Sequence, residues 1–457
     1  MNDLTSGPIV RLLLQMAVPI MVGMLVQTLY FIVDLYFVAK LGDQAIAGVS
    51  SAGNIMFITF ALTQSLGVGT VALIAQAVGR RDQADANLVF NQSLVLAAAL
   101  AVLTLVLGYG FAGAYMNSLG ADAGTRAAGL TYLYWYLPSL ALQFAITVMA
   151  SALRGTGIVK PTMVVQMLTV VLNIILAPVL IAGWGTGHPL GVAGAALATL
   201  IAVTAGTALL TVYFVRLETY VGFHHEQWQP QVAVLKRMLT IGLPAGGEFA
   251  LMFLVTSSVY WIIRDFGAAA QAGFGVGSRV IQAIFMPAMA IAFAASPIVG
   301  QNFGAGHAAR VRETLRIALI MSSILMLSLT LFTQIRPHWL IAVFTNDEKV
   351  LQFGTTYLRM LSWNFIATGI IFTCSSVFQA LGNTVPALIS SVSRLLLFVL
   401  PALWLSGQPG FHIEQVWYVS VASVALQAVI SFWLIHRELD RKLTRLPPKS
   451  NAAASAA

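Results

Sequence analysis

Twelve long apolar blocks constrain the fold of this chain more than any other feature. Each block exceeds the ~20 residues that a helix needs to cross the hydrocarbon core of a bilayer. Only 9% of the 457 residues are charged and 58% are hydrophobic, whereas soluble domains carry ~25% charged residues. This composition cannot cover a water-exposed surface, which argues against a soluble enzyme, a nucleic-acid binder and a disordered protein. The blocks span 11–38, 45–78, 88–116, 127–153, 161–184, 191–215, 238–263, 270–301, 314–335, 350–378, 386–406 and 413–436.

The basic residues predict the orientation of these spans. Sixteen of the 24 Lys and Arg residues lie on the side of the N-terminus, and five lie on the opposite side. Because cytoplasmic loops are enriched in Lys and Arg, both termini are expected in the cytoplasm. The cluster Arg437–Lys449 fits a membrane-surface anchor, so membrane lipids account for the net charge of +8 and no nucleic acid is needed.

The two halves of the chain resemble each other at a constant offset of 225 residues. This register pairs Pro19 with Pro244 and Gln76 with Gln301, together with Gly, Tyr and Ser residues that punctuate the blocks. Each half holds six blocks, an even number, so both copies share one orientation and a pseudo-two-fold axis along the membrane normal. The expected domains are an N-terminal six-helix lobe at 1–216, a cytoplasmic linker at 217–237, a C-terminal six-helix lobe at 238–437 and a cytoplasmic tail at 438–457.

Asp34 is one of only two acids well inside the blocks. Ionisable groups are costly in hydrocarbon and usually face a cavity or a partner. Gln27, Tyr30 and Asp34 fall at i, i+3 and i+7 and therefore share one helix face, while Pro19 allows this helix to bend. Asp34 either binds a cation or proton, or stays protonated for packing. We favour binding, because a neutral residue would pack at lower cost.

A second set of polar residues repeats this spacing in the fifth block. Gln166, Thr169 and Asn173 fall at i, i+3 and i+7, and Thr199 in the sixth block can join them. Asp34, Asn173 and Thr199 together predict a polar pocket for the coupling ion inside the first lobe, and Gln27, Tyr30 and Gln166 are expected along the substrate or cation pathway. Taken singly, each amide or hydroxyl is better explained as a hydrogen bond between helices; as a group around Asp34, both interpretations stay open.

Glu248 is the other in-span acid and lies four residues after Pro244, beside two glycines. Small neighbours leave room for a ligand, so Glu248 is a candidate for the substrate or cation pathway. The alternative is a structural salt bridge to Arg394, which should lie at a similar depth in the eleventh block. The sequence leaves both interpretations open.

Motifs for catalysis and metal binding are absent from the sequence. The His residues lie in loops or at block ends, Cys374 is the single cysteine, and HExxH, GxSxG and Walker patterns do not occur. A membrane-embedded enzyme is therefore disfavoured. With no ATP-binding element, the energy for transport must come from an ion gradient, at about 2.3 kcal/mol per charge and 100 mV.

Five segments of the first half carry recognisable motifs. They are VDLYFVAKLG at 33–42, AIAGV at 45–49, SALRGTG at 151–157 with Pro161, LNIIL at 172–176 and GVAGAALAT at 191–199. In these segments the chain resembles the multidrug and toxic compound extrusion (MATE) family, and the resemblance covers nearly the whole chain. It implies twelve helices in two six-helix lobes and export of organic cations in exchange for Na⁺ or H⁺.

By this match Asp34 is the coupling carboxylate of the first helix, with Asn173 and Thr199 as polar neighbours, and Glu248 is the acid of the seventh helix. The chain departs from the family in two places. Ala177 stands where one branch carries a second acid, and the tenth block, 350–378, contains no acid at all.

The sequence thus predicts an antiporter of the bacterial inner membrane that works by alternating access. We expect no cofactor beyond the coupling ion, no metal beyond Na⁺ at Asp34, and no obligate protein partner. A flippase for a lipid-linked glycan is the alternative, because three arginines (Arg279, Arg359 and Arg394) lie inside blocks of the second lobe.

Overall fold

The computed structural model describes residues 2–53, 55–119 and 122–444, except the side chains of Phe31, Asp34 and Leu35. This part of the chain is helical, with two short 3₁₀ turns at His225–Gln227 and Ile263–Phe266. The α-helices are α1 Ile9–Ala39, α2 Asp43–Gly53, α3 Ile55–Gly79, α4 Gln83–Ser118, α5 Ala123–Gly155, α6 Lys160–Ala182, α7 Gly191–Arg216, α8 Val232–Ile262, α9 Ala268–Gly304, α10 Ala308–Ile335, α11 Pro337–Ala342, α12 Glu348–Leu361, α13 Asn364–Ala380, α14 Val385–Ser406 and α15 Ile413–Leu443.

These helices match the twelve apolar blocks of the sequence. Eleven spans of the described chain are long and apolar enough to cross a membrane, and α2 and α3 together form one of them, Asp43–Gly79. The twelfth is the pair α12 and α13, which is bent by 58°. The prediction of an all-α polytopic fold with twelve spans is confirmed.

The break between α12 and α13 was not expected from the continuous block at 350–378. A break inside a span frees backbone groups, which hydrocarbon tolerates only if protein groups satisfy them. The Arg359 carbonyl accepts from Gln334 Nε2 of α10 and from the Ser362 hydroxyl, both at 2.8 Å, and the Ser362 carbonyl accepts from the Phe365 amide at 3.1 Å. Neighbouring helices therefore stabilise a break that local sequence does not require.

Contacts divide the chain into two compact units. The first comprises Met1–Asn2, Val18–Ile74 and Asp82–Gly246, and the second comprises Asp3–Ala17, Ala75–Arg81 and Gly247–Ala457. The core of the first unit includes Leu133 and Leu137 of α5, and that of the second includes a cluster of Phe274, Tyr357 and Trp417. The domain boundaries deduced from the sequence remain a prediction.

Side chains of α4 hold the polar segment 217–231 in place. Asn91, which is fully buried, donates to the Gly222 carbonyl and accepts from the His224 amide and from Trp228 Nε1, all at 2.9–3.0 Å. Gln92 donates to the carbonyls of Gln227 and Gln229 at 2.6 and 2.8 Å. The segment after α7 is therefore packed against the first unit rather than extended as a free tether.

Candidate functional site

The first candidate site is built around α1, which contains Asp34 and, about three turns before Tyr30, the internal Pro19. The side chain of Asp34 lies outside the described residues. Tyr30, one turn earlier, forms a hydrogen bond with Thr199 Oγ1 of α7. Either hydroxyl can be the donor of this pair, and the Thr199 hydroxyl also lies 3.2 Å from the Ala195 carbonyl oxygen. The contact fixes two of the predicted site residues against each other.

A second contact joins α1 to α6. Gln166 Nε2 donates to Gln27 Oε1 at 2.6 Å. One turn before Gln27, a methyl group on Gly23 would lie 2.7 Å from Gln166 Oε1, so glycine is what lets the amide approach the helix. The expectation that both glutamines lie on facing helices agrees with this geometry, but it does not establish their role in transport.

Asn173, on α6, is fully buried. Neither its Oδ1 nor its Nδ2 has a hydrogen-bond partner within the described chain. A buried polar group without a partner costs about 1–3 kcal/mol, and most such groups in native proteins are satisfied. An amide in this condition can offer an oxygen to a bound cation and a donor to a carboxylate.

The second candidate site is a partly open cavity of about 60 Å³ in the second unit. Glu248 lies on its wall, and Glu248 Oε2 accepts a hydrogen bond of 2.6 Å from the Ser375 hydroxyl. Gln379 Nε2 in turn donates to Ser375 Oγ at 3.4 Å. The carboxylate is therefore oriented by a chain of donors from α13. Apolar side chains form much of the remaining wall: Phe249, Leu251, Met252, Val255, Met289, Phe293, Ile371 and Phe372.

Arg394, on α14, lines the same cavity. The ion pair with Glu248 considered from the sequence is not formed, and no described carboxylate forms an ion pair with this guanidinium. Arg394 Nε is buried without a hydrogen-bond partner in the described part of the chain, and Gln427 Oε1, from α15, is in the same state. The cavity thus presents an unused donor and an unused acceptor beside an oriented carboxylate.

Sequence reasoning missed the polar residues that surround Glu248. Ser375 lies near the end of the block 350–378 and Gln379 directly follows that block. Their i and i+4 spacing places them on one helix face, and a search for such pairs at the block ends would have found them. Gln427 is one of several polar residues in the block 413–436, and only the fold shows that it reaches this cavity.

Comparisons with known proteins show which family and which relatives the chain resembles. A protein-family model described as MatE matches residues 19–179 and 244–405. The probable multidrug resistance protein YoeA of Bacillus subtilis is 26% identical over 428 residues, 91% of each chain. The FAD transporter of Shewanella oneidensis is 26% identical over 411 residues, 88% of each chain.

A further relative, the multidrug export protein MepA of Staphylococcus aureus, is 24% identical over 442 residues, 95% of this chain and 96% of MepA. Among solved structures, an outward-facing multidrug resistance MATE family transporter of the MOP superfamily superposes with a TM-score of 0.89 at 25% identity. The match covers 96% of this chain and 98% of that one.

Proposed function

The chain belongs to the MatE family of membrane transporters, and on this premise we propose that it is a secondary active antiporter that exports organic cations in exchange for Na⁺ or H⁺. Relatives named for multidrug resistance and multidrug export support this proposal. The FAD transporter relative widens the possible cargo to a nucleotide-bearing molecule. None of these relatives supports the flippase alternative, and we do not pursue it.

The observation that carries the proposal is the state of Asn173. Its amide is fully buried with no described partner, and it lies on the helix that also reaches α1 through Gln166. We propose that Asp34, Asn173 and Thr199 form the coupling-ion site, and that Na⁺ or a proton occupies it. A carboxylate, an amide oxygen and a hydroxyl are oxygen ligands of the kind that hard cations prefer.

In this mechanism the ion and the cargo alternate. Binding of the ion neutralises Asp34 and changes the cost of keeping this charge in the membrane. Pro19 removes one backbone hydrogen bond from α1, so the helix can bend in response. We further propose that the protein lies in the bacterial inner membrane with both termini in the cytoplasm, as the distribution of Lys and Arg favours.

Exchange in proteoliposomes tests this function. A Na⁺ gradient and a proton gradient are imposed in turn. One of the two should drive wild-type protein to move ethidium against its own gradient. Asp34→Asn should abolish gradient-driven transport, because an amide cannot release and rebind a proton or supply a full negative charge. The matched control is Glu414→Gln, which changes an exposed acid at the start of α15. Wild-type rates in Asp34→Asn would overturn the site, and ethidium movement independent of both gradients would overturn the antiport.

A further inference from the structure

The cavity of the second unit contains two charged side chains of opposite sign that do not neutralise each other. Glu248 receives its hydrogen bond from Ser375. Arg394 forms no ion pair with any described carboxylate, and its Nε has no described acceptor. A guanidinium within a span is costly in free energy unless an acceptor reaches it. An acceptor for Arg394 Nε must therefore come from outside the described residues.

The position of Arg394 is not a requirement of the fold. At the offset of 225 residues, Thr169 is its equivalent in the first repeat, and Gly23 is the equivalent of Glu248. The same helices therefore pack in the first unit without either charge. Both charged residues occur only in the second copy, at positions whose side chains line one cavity.

The chemistry of an arginine defines what it would bind. Its planar guanidinium presents donors in a fork that matches carboxylate and phosphate oxygens, and these charge-assisted hydrogen bonds are among the strongest in proteins. The unpartnered Gln427 Oε1 and the Glu248 carboxylate can accept from a cationic or N–H group of the same ligand. Phe249, Met252 and Phe293 supply an apolar wall for its body.

We propose that Arg394 binds an oxyanion of the transported molecule, so that this cavity binds amphipathic cargo with a carboxylate or phosphate more tightly than a simple cation such as ethidium, which the protein also carries. The proposal rests on the proposed transport function and names the cargo class of one of its two sites. Glu248 orients the cationic part of the cargo, and Arg394 takes its carboxylate or phosphate.

Binding to the purified protein in detergent tests this assignment with probe pairs that differ by one oxyanion. Rhodamine B carries a free carboxylate beside its cationic ring system, and its methyl ester lacks that carboxylate. FMN and riboflavin form the corresponding pair for phosphate. Dissociation constants are measured from probe fluorescence for wild type, Arg394→Gln, Arg394→Lys and the control Arg359→Gln, which removes an exposed guanidinium of α12.

Arg394→Gln should weaken binding of rhodamine B or FMN by roughly 10- to 100-fold, the effect of losing a hydrogen bond to a charged group. Affinity for the ester or riboflavin should stay within about twofold, and Arg394→Lys should lose less than Arg394→Gln because the charge remains. A loss for rhodamine B alone identifies a carboxylate, and a loss for FMN alone identifies a phosphate.

Equal losses for both members of each pair, or the same losses in Arg359→Gln, would overturn the proposal. Thermal unfolding separates a folding defect from a binding defect. Because Arg394 Nε is buried with no partner in the described part of the chain, Arg394→Gln should unfold at the wild-type temperature or above it. The binding assay needs no ion gradient, so it is independent of the transport assay. Failure of ethidium antiport would refute the proposed function, whereas only the binding data decide the role of Arg394.

Discussion

A pair of glycines where α3 meets α9 allows a sharp test of packing. A methyl group on Gly79 would lie 2.0 Å from the Gln301 carbonyl oxygen, and one on Gly304 would lie 2.1 Å from the Gln76 carbonyl oxygen. The four residues are two pairs of equivalents at the offset of 225. We expect Gly79→Ala and Gly304→Ala each to destabilise the protein.

The magnitude follows from what would have to move. Both obstacles are backbone oxygens that already accept hydrogen bonds, Gln76 from the Arg80 amide at 3.0 Å and Gln301 from the Ala305 amide at 2.9 Å. A real methyl group does not approach an oxygen closer than 3.0 Å, so one helix must shift by about 1 Å. Overpacking of this kind typically costs about 1–3 kcal/mol, a large part of the ~5–15 kcal/mol that stabilises a folded domain.

The double variant adds a second, independent expectation. One outward shift of α3 from α9 relieves both clashes, so Gly79→Ala with Gly304→Ala should cost less than the sum of the single changes. The assay is thermal unfolding of purified protein in detergent, followed by intrinsic tryptophan fluorescence.

The matched control is Gly110→Ala in α4, where no described atom lies within 4 Å of the added methyl. It should stabilise the helix by about 0.5–1 kcal/mol through higher helix propensity. The packing argument fails if Gly79→Ala unfolds at or above the temperature of this control. Strict additivity in the double variant would refute the shared shift.

Three further expectations concern other parts of the molecule. Asn173→Leu should leave the unfolding temperature unchanged or raised, since it removes a buried amide that has no partner among the described residues. It should nevertheless uncouple ethidium transport from the ion gradient, and a fall in both the unfolding temperature and transport would indicate a structural role instead. Asn91→Ala should lower the free energy of unfolding by about 2 kcal/mol or more, because it leaves several buried polar groups of the linker unsatisfied. Amide hydrogen exchange over 217–231 should accelerate, and unchanged exchange would contradict this expectation. Hydrogen bonds from the side chain and backbone of Thr125 lower the pKa of Asp122 below 3.8. The ionised Asp122 therefore stabilises the folded protein above pH 3.8, and this stabilisation is lost as the pH falls through the lower pKa of the folded state. Asp122→Ala should remove this contribution to the fall of the unfolding temperature in acid.

The twelve spans could be predicted from the sequence because hydropathy and length are local properties. The break between α12 and α13 could not, since Gln334, whose amide satisfies the Arg359 carbonyl at the break, comes from α10. An apolar run shows only that a segment enters the membrane. It does not show whether the helix stays straight once other helices pack against it.

Facing residues of the first site could also be anticipated from helical spacing. Gln27 and Tyr30 on α1 do meet Gln166 and Thr199, on α6 and α7. Spacing gives the face of a helix but not the partner of a side chain. For that reason the sequence could not decide whether Glu248 pairs with Arg394, and only the fold shows a serine in the place of the expected arginine.

Duplication supplied two copies of one scaffold, and substitution made their interiors chemically different. At equivalent positions the first copy has Gly23 and Thr169 where the second has Glu248 and Arg394. A transporter that used one carboxylate for both ion and cargo would make the two compete for a single site. Under the function proposed above, Asp34 in the first copy binds the ion, and Glu248 and Arg394 in the second copy bind the cargo. Ion and cargo then do not displace each other from one carboxylate, so a conformational change of the helices must couple the two binding events. Saturating cargo should then lower the affinity for the coupling ion by the same factor by which the ion lowers the affinity for the cargo. Arg394→Gln should change the affinity for the cargo, while the affinity for the ion measured without cargo should stay unchanged.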